Sequence, residues 1–82
     1  MLKGASAIGI GSIAIGQDAK AGGVDDPHAV AIGYGAQAKA EGSVAIGYRV
    51  TVEAEGKYAH AEGECTATYK TGAHAEGGFS NA

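Results

Sequence analysis

The sequence predicts an all-β fold, a parallel β-solenoid whose chain winds in coils of about 14 residues. Three observations lead to this prediction: a repeated five-residue motif, a second alternating motif between its copies, and a composition dominated by very small residues. The 82 residues include 15 Gly and 18 Ala, which favours closely packed backbones over a thick hydrophobic core.

The first motif occurs five times, as SIAIG (12–16), AVAIG (29–33), SVAIG (43–47) and AHAEG (59–63 and 73–77). We call its final glycines the anchor glycines: Gly16, Gly33, Gly47, Gly63 and Gly77. They are 17, 14, 16 and 14 residues apart, which is a period near 14 with small insertions. Because glycine is typical of tight turns, we predict a turn at each anchor glycine.

The second motif lies between the anchors, as AKAGG (19–23), AQAKAEG (36–42), VTVEAEG (50–56) and TATYKTG (66–72). ASAIG (5–9) is its predicted first copy. Small and polar residues alternate with the period of a β-strand. Each unit is therefore predicted to run strand, turn, strand, turn, with alanines such as Ala36 and Ala38 inside and Gln37 outside.

The same alternation predicts an apolar stripe on the outside of the coils. If Ser43 and Ala45 line the narrow interior, Val44 and Ile46 must point outward. An exposed apolar stripe indicates an interface. Since a thin coil filled by Ala, Ser and Thr is poorly stable alone, we predict that several copies associate cyclically through this stripe.

These motifs resemble the YadA-like head of trimeric autotransporter adhesins, over residues 5–82. The resemblance implies a left-handed parallel β-roll assembled as a side-by-side homotrimer. It implies that the trimer interface contains Ile13, Ile15, Val30, Ile32, Val44 and Ile46. AHAEG also resembles YadA-head-type repeats of phage tail fibres and related virion proteins. The implied function is a non-catalytic structural or adhesive module, extracellular on a virion tail fibre or a bacterial cell surface, facing a host-cell or extracellular-matrix ligand.

The two AHAEG motifs place polar residues at interface positions. His60 and His74 align with Val44, and Glu62 and Glu76 align with Ile46, so all four are predicted to join the trimer interface. We expect His–Glu hydrogen bonds between chains, because buried charges must pair. An ion on the trimer axis, with these four residues as ligand candidates, and a pH-sensitive interface are the alternatives. No metal or cofactor is assigned. Catalysis is not predicted, because H-E-x-x-H is absent and a closed trimer core admits no substrate.

Charge and cysteine content exclude other classes. The net charge is −3, the pI is about 5.4 and there are six Lys plus Arg, so no nucleic-acid partner is expected. No 18-residue apolar run predicts membrane insertion. The single cysteine, Cys65, aligns with Gly35 at a turn and cannot form an intramolecular disulfide.

Residues 1–82 are predicted to be one repeat domain, with a loop insertion at 23–28. GFSNA (78–82) begins another spacer and residues 1–3 lack the apolar core of a signal peptide, so we expect a fragment of a longer fibrous protein or a virion component. Two alternatives are weaker. A hexapeptide-type trimeric acyltransferase would repeat in multiples of six, and an ice- or surface-binding solenoid needs more Thr pairs than Thr66 and Thr68.

Overall fold

The computed structural model describes residues 4–23 and 27–78, which contain ten short strands and no helix. The strands are β1 (Ser6–Ala7), β2 (Ile13–Ile15), β3 (Lys20–Ala21), β4 (Val30–Ile32), β5 (Gln37–Ala38), β6 (Val44–Tyr48), β7 (Thr51–Val52), β8 (His60–Glu64), β9 (Ala67–Thr68) and β10 (His74–Gly78). Their order follows the predicted alternation of the two motifs.

The strands form two parallel five-stranded sheets. The spacer sheet has the order β1-β3-β5-β7-β9, and the anchor sheet has the order β10-β8-β6-β4-β2. Each coil gives one strand to each sheet, and every pairing is parallel. The predicted parallel β-solenoid is confirmed, with about five coils. Its Cα atoms span 28 × 23 × 12 Å, a flat slab two sheets thick.

The strand register shows where the longer coils place their extra residues. Ile13 pairs with Val30 and Val44 pairs with His60, so the repeat lengths of 17 and 16 residues are preserved in the sheet. The additional residues lie in the turns that follow β3 and β7. The predicted insertion at 23–28 falls after β3, although its residues 24–26 lie outside the described part of the chain.

The interior is lined by very small side chains. Ala21, Ala38 and Ala45 are fully buried, and the largest fully buried side chains are only Val, Thr and Ser. Ser43 is also fully buried, whereas Val44 and Ile46 between these inward positions are half-buried. The predicted assignment of inward and outward faces is therefore correct.

The prediction of a turn at every anchor glycine is wrong for three coils. Strands β6, β8 and β10 continue through Gly47, Gly63 and Gly77. The reason these positions require glycine is different: Gly47 has φ 130°, and a Cβ there would overlap the carbonyl oxygen of Gly63 in the next coil. Stacked backbones leave no room for a side chain.

One turn column holds residues that sequence reasoning did not expect there. Asp18, Arg49 and Cys65 share the left-handed conformation of Gly35, with φ of 61°, 55°, 54° and 67°. Their position is fixed by backbone hydrogen bonds between coils: Arg49 N donates to Tyr34 O at 2.7 Å, and Cys65 N donates to Tyr48 O at 2.8 Å. The predicted alignment of Cys65 with Gly35 is confirmed.

Candidate assembly face and its polar cluster

The outer face of the anchor sheet carries two continuous columns of side chains. The parallel register stacks equivalent residues of successive coils directly on one another. The first column is Ile13, Val30, Val44, His60 and His74, and the second is Ile15, Ile32, Ile46, Glu62 and Glu76. All ten predicted interface residues therefore lie on one face; whether that face is an interface stays a prediction.

The first three coils make this face apolar. Its six aliphatic side chains, three in each column, are called the apolar stripe. In the single chain none of them is fully buried, and Ile13 and Ile15 are 49% and 47% exposed. A contiguous aliphatic surface of this kind is typical of a protein–protein contact.

The last two coils make the same face polar. His60, Glu62, His74 and Glu76 are called the polar cluster. His74 Nε2 forms a hydrogen bond with Glu76 Oε1 at 3.2 Å, and His60 Nε2 lies 3.4 Å from Glu62 Oε1. The two imidazole rings stack with centroids 5.1 Å apart and planes 24° from parallel. The repeat thus turns two sequence motifs into one compact group.

The cluster contains two unfavourable features. Glu62 and Glu76 are directly paired on adjacent strands, and two like charges at 4–5 Å repel by about 1 kcal/mol in water. His60 Nε2 is enclosed and, among the described residues, has no hydrogen-bond partner. Although Glu62 Oε1 is within 3.4 Å of this nitrogen, the contact lacks hydrogen-bond geometry and counts only as a close approach.

Three members of the cluster could share a metal ion. Glu62, His74 and Glu76 each present one donor atom, and these three atoms lie within 4.8 Å of one another. Zinc binds imidazole nitrogen and carboxylate oxygen at about 2.0–2.2 Å, so small side-chain rotations would bring the donors into range. The sequence predicted that these residues align, and the structure shows that they also meet within one chain.

The rest of the described surface offers no enclosed reaction site. The described residues form no cavity that could hold a substrate. The buried Ser43 hydroxyl donates to Ala40 O at 2.5 Å, and the half-buried Cys65 lies at a turn. Tyr34 and Tyr48 stack on each other from neighbouring coils, with centroids 5.4 Å apart. In-register repetition explains this pair as well.

A family model, the YadA head domain repeat, matches the sequence in two copies, residues 7–25 and 27–49, about half of the chain. The chain belongs to this family. YadA head repeats form an adhesin-type structural domain, are not known as enzymes and are known to form trimers. Searches of curated proteins and of solved structures found no match.

The YadA head match ends before the polar cluster. Strands β7 to β10 lie beyond residue 49, yet they continue both sheets in register with the matched coils. The polar cluster is therefore a change of residue type within a continuous YadA-type solenoid. In the described residues there is no helix that could cross a membrane.

Proposed function

We propose that this chain is a non-catalytic structural and adhesive module that assembles as a left-handed, side-by-side homotrimer. The observation that carries the proposal is the apolar stripe, which a single chain leaves exposed on a flat sheet face. Trimer formation by YadA head repeats supports three copies as the number that covers it. In this assembly the polar cluster lies at the same interface, below the stripe.

The energetic argument rests on the six aliphatic side chains. Full burial of an exposed Val or Ile contributes about 1.5–3 kcal/mol, so completing the burial of a half-exposed one contributes on the order of 1 kcal/mol. Six such residues per chain give a substantial gross gain against the cost of association. The thin interior of alanines supplies little stability of its own, so the assembly and the fold support each other.

We further propose an extracellular location, on a bacterial cell surface or a virion tail fibre, with a host-cell or extracellular-matrix ligand. The outer face of the spacer sheet is suited to remain in water, since Lys20 and Gln37 point outward and Lys39 Nζ pairs with Glu53 Oε1 at 3.5 Å. A trimer built through the anchor sheet leaves these polar faces free for ligand contact. The adhesin-type character of the family supports this location.

Assembly is tested by the substitution Val44→Asp. Val44 lies in the middle of the first column, where a buried and unpaired carboxylate would be strongly unfavourable. We expect the unaltered chain to sediment as a trimer at micromolar concentration and Val44→Asp to sediment as a monomer. The measurement is analytical ultracentrifugation.

The matched control is Thr51→Asp, which places the same charge on the outer face of the spacer sheet in the same coil. This variant should remain trimeric. A monomeric parent chain, or a Val44→Asp variant that still forms trimers, would show that the stripe is not the assembly surface.

A further inference from the structure

We propose that the polar cluster binds one divalent transition-metal ion of the Zn²⁺ class per chain. Glu62, His74 and Glu76 supply the donors, and His60 supplies the fourth. The site goes beyond the proposed structural function and does not require the trimer, because one chain provides the whole donor set.

The first support is geometric. The parallel register stacks His60 on His74 and Glu62 on Glu76, so four donor side chains of two successive coils project from one face. Three of their donor atoms already lie within 4.8 Å of one another. Two donors bound to one ion at 2.0–2.2 Å are about 3–4 Å apart, so a contraction of roughly 1 Å completes the arrangement.

The second support is the unused nitrogen of His60. Its Nε2 is enclosed and, within the described chain, without a hydrogen-bond partner, although a carboxylate oxygen is 3.4 Å away. If the cluster served only as hydrogen-bonded His–Glu pairs, His60 should match His74, whose Nε2 is bonded to Glu76. A ring nitrogen held beside a carboxylate but not bonded to it is placed to become a ligand.

The third support is charge. Two carboxylates lie next to each other on adjacent strands, and a neutral imidazole does not offset either of them. A divalent cation between them would replace this repulsion by attraction to both. Earlier coils show that the fold does not need these residues, because Val and Ile occupy the same columns.

The donor types select the class of ion. Imidazole nitrogen together with carboxylate oxygen suits Zn²⁺ and its neighbours in the first transition row. Ca²⁺ and Mg²⁺ prefer shells made only of oxygen, and here half of the donors are nitrogen. Because a ligating imidazole must be neutral, binding should release protons and weaken as the pH falls.

The experiment uses the 82-residue chain without a histidine tag. Zn²⁺ is titrated calorimetrically, and Co²⁺ is titrated by its visible absorption spectrum, which reports nitrogen and oxygen coordination. We expect one ion per chain and a higher melting temperature in the presence of Zn²⁺. Ca²⁺ should not compete.

The variants are His74→Val and Glu76→Ile, which install the residues that Val44 and Ile46 hold in the same columns and so preserve the fold. Each should weaken Zn²⁺ binding at least tenfold. His28→Asn and Glu53→Gln are the matched controls, since both change a residue of the same type outside the cluster. These controls should bind as the parent does.

The proposal is overturned if Zn²⁺ does not bind, if His74→Val and Glu76→Ile bind as tightly as the parent, or if Ca²⁺ competes equally. A stoichiometry of one ion per three chains would also overturn it, because the ion would then be shared between chains. Sedimentation in parallel separates this test from that of assembly. A monomer that binds one ion supports the site and contradicts the trimer, whereas a trimer that binds none contradicts the site alone.

Discussion

At the scale of single residues, equivalent glycines of this solenoid are under different constraints. Gly47 has φ 130° and no space for a Cβ against the Gly63 backbone. Gly72 has φ 71°, but no described residue beyond its chain neighbours comes within 4 Å of where a Cβ would lie. Gly78 has the same open space without a positive φ. These three positions separate the cost of the backbone conformation from the cost of close stacking.

We expect the order of destabilisation Gly47→Ala, then Gly72→Ala, then Gly78→Ala. A strained φ costs about 1–3 kcal/mol, and Gly47→Ala adds a backbone overlap that only a shift of the neighbouring coil can relieve. Gly72→Ala should cost roughly 1–2 kcal/mol, and Gly78→Ala close to zero. Circular dichroism melting curves measure all three. Equal losses for Gly47→Ala and Gly72→Ala would mean that the coils are not stacked as closely as described.

The sequence alone could not predict the left-handed residues other than glycine. Residue type indicates a positive φ when glycine is present, and Arg49 and Cys65 carry no such signal. Their conformation is imposed from outside the turn, by the backbone hydrogen bonds that each makes to the preceding coil. Such constraints become visible only when these residues are aligned with Gly35 in the structure.

At the scale of strands, the period-2 pattern was sufficient to predict faces and pairing, because a slip of one residue would expose the whole interior. The pattern could not predict that β6 and β8 continue past their anchor glycines. It predicted the columns of the polar cluster, but not that three donors meet within 4.8 Å, since that distance depends on side-chain rotamers. Register is encoded in the sequence, whereas side-chain contacts arise from packing.

The interior around β9 contains a testable imperfection. Thr66 Oγ1 donates to Glu62 O at 3.3 Å, whereas Thr68 Oγ1 is buried and, in the described chain, has no partner. Val52 fills the position of Thr68 in the preceding coil and is fully buried. A valine therefore fits this column.

We expect Thr68→Val to stabilise the protein by about 1 kcal/mol, because it removes a buried hydroxyl without a hydrogen bond at nearly constant volume. Thr66→Val is the control on the same strand region and should be neutral or destabilising, since it leaves Glu62 O without its donor. Urea denaturation at equal chain concentration compares the two. A Thr68→Val variant less stable than Thr66→Val would show that the Thr68 hydroxyl is satisfied after all.

At the scale of the whole molecule, the solenoid is a one-dimensional stack in which each coil contacts its neighbours. Every sheet pairing joins consecutive coils, and coils of 14, 16 and 17 residues keep their strands in register by placing extra residues in turns. In such repeats stability is approximately a sum of coil and interface terms. Two coil ends remain unpaired however many coils lie between them.

Insertion of a second copy of residues 33–46 after Ile46 tests this additivity. The 14-residue insertion adds one complete coil with the correct alternation. The melting temperature should rise by at least about 4 °C, the shift that 1 kcal/mol produces in a small domain. Chain concentrations must be equal, because association makes melting concentration-dependent.

The control is the same insertion without its copy of Ala38. This shorter coil brings the inserted Lys39 equivalent to an inward position, where the narrow alanine-lined interior cannot accept it. We expect this variant to melt below the parent, even though it has almost the same composition as the stabilised one. If both insertions melted alike, stability would depend on chain length and not on coil register, and the additive description of the stack would fail.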